Sequence, residues 1–219
     1  MKVICFDLDD TLYKEIDYLK SAYREISAIA VGNNQIKAES AYEVMLKAYL
    51  AGGNAFNQLN SFLGIDRPVK DYLEVYRNHK PDIQLSEEVT TTLDELKSAG
   101  CVIGLITDGR SVQQRHKIEA LGLYRWISDE DIEISEEFGS EKPNLANYEY
   151  FMNRYPQAAE FFYVGDNPKK DFAAPNELGW KTVLLKDNGK NIHKYDVNAE
   201  VKVSYQIGNI EELLNIIFV

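Results

Sequence analysis

Lys2-Val3-Ile4-Cys5-Phe6-Asp7-Leu8-Asp9-Asp10-Thr11-Leu12 is the stretch on which the reading of this chain turns. Val3 to Phe6 is apolar without polar alternation, the pattern of a strand buried on both faces of a parallel sheet. It runs into a cluster of carboxylates, which places them at the strand's carboxyl end, where open α/β sheets hold their ligands. If the backbone stays extended, its period of two sets Asp7 and Asp9 on one face and Asp10 on the other. Like charges sharing a site call for a metal ion, a shared proton or a division of labour between nucleophile and acid. On these residues alone, an acidic strand exit with Asp10 capping a helix reads equally well.

Outward from this stretch the period changes to that of helices. Tyr18, Leu19, Ala22, Tyr23, Ile26, Ile29 and Ala30 share a face. Tyr42, Met45, Leu46, Tyr49 and Leu50 share another, ended by Gly52-Gly53. Ala55, Phe56, Leu59, Phe62 and Leu63 mark a third helix, and Val69, Tyr72, Leu73 and Tyr76 a fourth that starts after Pro68. These four read as a small bundle, whose helical spacing makes its many aromatics core rather than ligand contacts.

After Pro81 strands and helices alternate. Ser86 is placed to cap a helix that carries Val89, Leu93 and Leu96, and Cys101 to Ile106 is a second buried strand ending in Thr107-Asp108-Gly109-Arg110. A helix over Ser111 to Leu121 follows, then a short strand over Asp131 to Ile134 and a loop containing Lys142-Pro143. Phe161 to Val164 is the next buried strand, tipped by Gly165-Asp166-Asn167-Pro168-Lys169-Lys170-Asp171. Lys181 to Leu185 and the alternating Val201, Val203, Tyr205 and Ile207 complete the strands, and Ile210 to Ile217 closes with a helix. The pattern predicts an α/β fold, a Rossmann-like parallel sheet with helices on both faces, interrupted early by an α-helical bundle. Residues 1–13 and 82–219 fall to the α/β core and 14–81 to the inserted helical cap.

A chain of 219 residues that is 45% apolar suits a globular core with an insertion. No apolar run reaches membrane-spanning length and Met1 leads directly into the first strand, so the expectation is a cytoplasmic protein without membrane association. Cys5 and Cys101 both lie in apolar runs and read as small buried side chains. A net charge of −11 argues against nucleic-acid binding. A site for an anion must therefore supply its own positive charge.

Three apolar strands thus end in Asp7 and Asp9, in Thr107, and in Asp166, and a parallel sheet brings such ends to one edge. Together with Lys142-Pro143 and Asp171, these segments resemble the four ordered motifs of the haloacid dehalogenase superfamily. The resemblance spans nearly the whole chain, the early helices being similar to the cap that many members insert after the first motif. It implies an Mg²⁺-dependent phosphatase acting on a small phosphate ester, a phosphorylated sugar or a nucleotide. Asp7 would then attack phosphorus to form an aspartyl-phosphate, and Asp9 would act as general acid and base. Thr107, Asp108 and Lys142 would bind the phosphoryl group, Asp7, Asp166 and the Asp9 carbonyl would hold the metal, and Asp171 would steady the metal's waters or Lys142.

Dehalogenating members generally lack an acid at the second position, so Asp9 favours phosphoryl transfer. Sugar phosphomutases carry a glutamate-containing segment that is not evident in Leu12-Tyr13-Lys14-Glu15, which makes a mutase the runner-up. A receiver-type signalling module also combines paired acids, a threonine and a lysine. The helical insertion and the second carboxylate count against it, because a long-lived acyl phosphate is poorly served by a built-in acid and base.

Overall fold

The computed structural model describes residues 1–32, 35–194 and 202–218. The chain divides into two compact units, one made of Met1–Glu15 with Gln84–Val219 and the other of Ile16–Ile83.

The first unit holds a six-stranded sheet whose pairings are all parallel. Its strands are β1 (Lys2–Phe6), β2 (Val102–Thr107), β3 (Ile132–Ile134), β4 (Glu160–Gly165), β5 (Lys181–Leu185) and β6 (Tyr205–Ile207). Their spatial order is β3-β2-β1-β4-β5-β6, so β1 lies in the middle with β2 and β4 on either side. Val3, Ile4, Cys5 and Phe6 are all fully buried, as a strand covered on both faces requires. Burial of each large side chain among them contributes about 1.5–3 kcal/mol. Register places Phe6 beside Leu105 and Val164, so the residues that follow β1, β2 and β4 emerge together at one edge.

Two residues of β4 link this core to that edge. Tyr163 on β4 packs edge-on against Tyr148, with ring centroids 5.2 Å apart, while its hydroxyl lies 3.0 Å from Lys142 Nζ. Gly165 ends the same strand, and a Cβ there would collide with the Asp171 carboxylate. Only glycine lets that acid lie against the strand tip.

The second unit is helical and consists of α1 (Glu15–Val31, beginning at the last residue of the first unit), α2 (Ala38–Leu50), α3 (Ala55–Leu63) and α4 (Val69–Asn78). Its aromatics pack mainly on one another. Phe56 stacks on Tyr72 at 5.4 Å, Tyr23 meets Phe56 edge-on, and Tyr18, Tyr23, Tyr42 and Tyr72 are buried. Helical periodicity extends too far at the helix ends. Ile29 and Leu50, expected on buried faces, are 46% and 70% exposed because last-turn side chains project beyond their neighbours.

The remaining helices belong to the first unit: α5 (Glu87–Ser98, capped by Ser86), α6 (Ser111–Ala120), α7 (Ser135–Phe138), α8 (Leu145–Arg154), α9 (Ala173–Glu177) and α10 (Glu212–Ile217). The one-turn α7 has no counterpart in the sequence reading, being too short for a period to register. Val201 lies outside the described residues, Val203 precedes the edge strand, and β6 is correspondingly shorter than the alternation implied.

Glu133, on β3, is 3% exposed, and neither carboxylate oxygen has a hydrogen-bond partner among the described residues. Burial pushes its carboxyl up to about 8, which the nearby Asn147 amide offsets only in part. The folded protein therefore holds this proton more tightly than the unfolded chain. Stability is complete below the ordinary glutamate pKa and is lost as pH rises through about 8. Glu133→Gln is expected to stabilise the protein at pH 9 by about 1–3 kcal/mol, read as a rise of about 2–12 °C in melting temperature, and to do little at pH 4. An equal shift at both values would mean that the carboxyl does not titrate anomalously.

Candidate active site

The strand edge carries a cavity of about 380 Å³ bordered by Asp7, Asp9, Thr107, Lys142 and Asp166. The extended backbone does not continue through the acidic stretch, however. β1 stops at Phe6, and at Asp10 the chain turns with φ 58°, in the left-handed region that aspartate tolerates better than most residues. Asp10 also borders the cavity, and its carboxylate accepts the backbone N–H of Glu15, the first residue of α1, and that of Ile192. For Asp10 the capping reading is the one the structure adopts.

Asp7 and Asp9 each have a lysine of their own. Lys142 Nζ lies 2.6 Å from Asp7 Oδ1 and 2.8 Å from Asp171 Oδ1, and all three residues are buried. Lys117 Nζ lies 2.7 and 2.8 Å from the two Asp9 oxygens. Tyr13 Oη donates to Asp9 Oδ1 at 2.5 Å and Gln114 Nε2 to Asp9 Oδ2 at 3.1 Å. The two acids consequently differ. Burial pushes the Asp7 carboxyl up to about 7 in spite of Lys142, with repulsion from Asp171 and Asp9 adding to the rise. Burial would raise Asp9 as well, but Lys117, Tyr13 and Gln114 outweigh it and hold Asp9 below the usual carboxylate range.

Thr107 Oγ1 accepts from Gln114 Nε2 at 2.6 Å. Asp108, expected to bind phosphate, commits its carboxylate to the Lys142 N–H at 3.0 Å and to Lys170 Nζ at 2.9 Å. A carboxylate would repel phosphate, so any contribution from this residue falls to its main chain, and its side chain instead anchors the lysine-bearing loop. Asp171 receives Lys142 on one oxygen and the Asn167 N–H, at 2.8 Å, on the other.

A carboxylate oxygen from each of Asp7, Asp166 and Asp171 lies within 4.8 Å of the others. Among the described residues, Lys142 is the ammonium paired with this group of three carboxylates, so the fully ionised cluster carries two more negative charges than that lysine offsets. The strain is visible at Asp166, which burial, with Asp7, Asp171 and Asp10 adding repulsion, pushes up to about 8. All-oxygen donors with a charge deficit of two fit a hard divalent cation such as Mg²⁺. The side chain of Asp9, given over to Lys117, stands outside this carboxylate group, which includes Asp171 in its place.

Four participants escaped sequence reading. Tyr13 follows the acidic stretch without a distinguishing pattern. Asn191 is buried in the loop after β5, donating to Asp166 Oδ2 at 2.8 Å and receiving Lys14 Nζ at 2.7 Å, and nothing in its neighbourhood of polar residues marks it. Gln114 and Lys117 did leave a signal. The buried stripe of α6 and the turn after it runs Gln114, Lys117, Ile118 and Leu121, at helical spacing, and two of its members are polar where apolar residues belong.

A family model for haloacid dehalogenase-like hydrolases matches residues 1–179. Glyceraldehyde 3-phosphate phosphatase of Methanocaldococcus jannaschii is 33% identical to the chain over 229 residues, covering 99% of it and 97% of that protein. Phosphoglycolate phosphatase of Vibrio cholerae is 26% identical, covering 98% of the chain and 97% of the relative. Among solved structures, a HAD-hydrolase from Bacillus subtilis, YfnB, crystallised with magnesium, superposes with a TM-score of 0.71 at 22% identity, covering 100% of this chain and 99% of that one.

Proposed function

The chain belongs to the haloacid dehalogenase-like hydrolases, and from that premise we propose that it is an Mg²⁺-dependent phosphatase of small phosphorylated metabolites, working through a phosphoryl group on Asp7. The observation that carries this reading is the separate lysine at each acid, Lys142 at Asp7 and Lys117 at Asp9. Of the three ways in which paired carboxylates coexist, this arrangement favours a division of labour over a shared proton.

Asp7, at the end of the central strand, attacks phosphorus as the bond to the departing oxygen breaks. The alcohol leaves with a proton from Asp9. In the second half a water attacks the aspartyl-phosphate, gives its proton to Asp9 and releases phosphate and the Asp7 carboxylate. The resting Asp9 is in the proton-accepting form, matched to the second half. An entering phosphate dianion raises the pKa of neighbouring acids and so favours the donor form that the first half needs. Lys142 and the Thr107 hydroxyl offset negative charge on the transferring oxygens. Asp7 and Asp166, with the carbonyl of Asp9, would hold Mg²⁺, and Asp171, packed against Gly165, would keep Lys142 in place. When bound, the cation neutralises phosphoryl oxygens that this acidic edge would otherwise repel.

The relatives' names point to the substrate class. They act on a triose phosphate and on a two-carbon phosphoacid, and a further relative from Halopiger xanaduensis, matched over 105 residues, is a ribulose-1,5-bisphosphate 5-phosphatase. These favour small sugar and acid phosphates over nucleotides. The test is a panel of phosphomonoesters headed by glyceraldehyde 3-phosphate and phosphoglycolate, assayed by phosphate release with Mg²⁺. Excess chelator is expected to abolish turnover and Mg²⁺ to restore it, while Asp166→Asn weakens Mg²⁺ binding measured by calorimetry. Because burial holds protons on Asp7 and Asp166 near neutrality, Mg²⁺ affinity should climb between pH 6 and pH 8. Undiminished activity in chelator would remove the metal from the reading, and failure to hydrolyse any ester on the panel would remove the phosphatase.

A further inference from the structure

We infer that α6 is the positioning element of this site, with Lys117 and Gln114 tying the leaving-group acid Asp9 and the phosphate-binding hydroxyl of Thr107 into one rigid unit. The inference rests on the proposed role of Asp9 and adds to it two residues that none of the four motifs contains.

Both side chains are 1% exposed, whereas the apolar Val112 near the start of the same helix is 49% exposed. Burying an ammonium is unfavourable, and an apolar residue of similar volume would pack at position 117 with no such penalty. The compensation is specific. Lys117 reaches both Asp9 oxygens, at 2.7 and 2.8 Å, and so fixes the plane of the carboxylate as well as its position. Gln114, one turn earlier, bridges the two catalytic strands' ends through a single amide nitrogen: 3.1 Å to Asp9 Oδ2 and 2.6 Å to Thr107 Oγ1. The carboxylate can only accept, so the amide must present its NH₂ group there.

That assignment sets the polarity of Thr107. Its oxygen accepts from Gln114, so its own proton is left to donate, as a hydroxyl that serves a phosphoryl oxygen must. One helix face therefore holds the acid for the leaving group and orients the donor for the phosphate. Errors of a fraction of an ångström in either would be felt in rate before they are felt in stability.

The test compares Lys117→Met with Asp9→Asn and with the double variant, using the best natural ester from the panel and p-nitrophenyl phosphate. Melting temperatures confirm folding, and Lys117→Gln, which is shorter and uncharged but keeps a donor, stands in if the methionine variant does not fold. The expected result for Lys117→Met is a loss of about 10- to 100-fold in kcat on the natural ester with KM changed little. Formation of phosphoenzyme from p-nitrophenyl phosphate should be spared, and no further loss should appear when the change is added to Asp9→Asn. Gln114→Leu should differ, raising KM on both esters because the Thr107 hydroxyl loses the contact that orients it. A loss from Lys117→Met that is equal on both esters, or that persists undiminished in the Asp9→Asn background, would overturn the inference while leaving Asp9 its role. If Asp9→Asn by itself costs the same on both esters, the role of Asp9 is wrong and the inference falls with it.

Discussion

Replacing Asp7 with asparagine is expected to lower kcat by about 10⁴- to 10⁶-fold on every phosphate ester, activated or not, and to leave no phosphoryl group on the protein. An amide nitrogen does not take the place of a carboxylate oxygen in attacking phosphorus, so a better leaving group brings no rescue. The loss should not come from misfolding. Lys142 keeps Asp171 at 2.8 Å and the Tyr163 hydroxyl at 3.0 Å when its Asp7 partner is neutral. Asp7 also carries a raised pKa, so the folded protein favours its protonated form and loses stability as pH rises through about 7. In chelator above that pH, Asp7→Asn should melt higher than the parent, a gain in stability set against the loss of function. Acid quenching followed by intact-mass measurement and peptide mapping decides the matter. Turnover within about tenfold of the parent, or an adduct mapped to another residue, would remove Asp7 from the role of nucleophile.

Asp9→Asn should behave differently. On a sugar or acid phosphate, whose alkoxide leaves poorly, loss of the acid is expected to cost about 10²- to 10⁴-fold. On p-nitrophenyl phosphate the departing oxygen needs no proton, and the first half should proceed almost unhindered. The second half still lacks its base, so phosphoenzyme should accumulate and appear by mass on Asp7. Asp9→Asn also takes the charge from one ion-pair partner of Lys117, which is 1% exposed, so a drop in melting temperature is expected as well, which separates this variant from Asp7→Asn. Finding the phosphoryl group on Asp9 in the parent, or no accumulation in the variant while turnover stays high, would reverse or remove the assigned roles.

Much of this was legible in the sequence because it depends on local pattern. Val3 to Phe6, Cys101 to Ile106 and Phe161 to Val164 announce buried strands by apolar runs, and an apolar run that stops at Asp7, Thr107 or Asp166 announces a polar strand tip. Four helices between Tyr18 and Tyr76 announce themselves by a period of 3.6, since an amphipathic helix must turn one face to a core whatever that core is. The cost of placing like charges together likewise limits Asp7 and Asp9, from their spacing alone, to three arrangements.

The partner that each acid meets was decided only in three dimensions. Lys142 reaches Asp7 across 135 residues and Lys117 reaches Asp9 across 108, and no local period reports a partner at such distances. The strand order β3-β2-β1-β4-β5-β6 creates both meetings by placing β2 and β4 on either side of β1. The turn at Asp10, with φ 58°, brings its carboxylate to the backbone N–H groups of Glu15 and Ile192, which an extended reading of the stretch does not anticipate. Asp108 became an anchor for Lys170 and the Lys142 loop for the same reason. Sequence periodicity says which side chains leave the solvent. Whether a buried charge then meets its opposite, and so becomes a nucleophile, a base or a strut, depends on what the topology sets beside it.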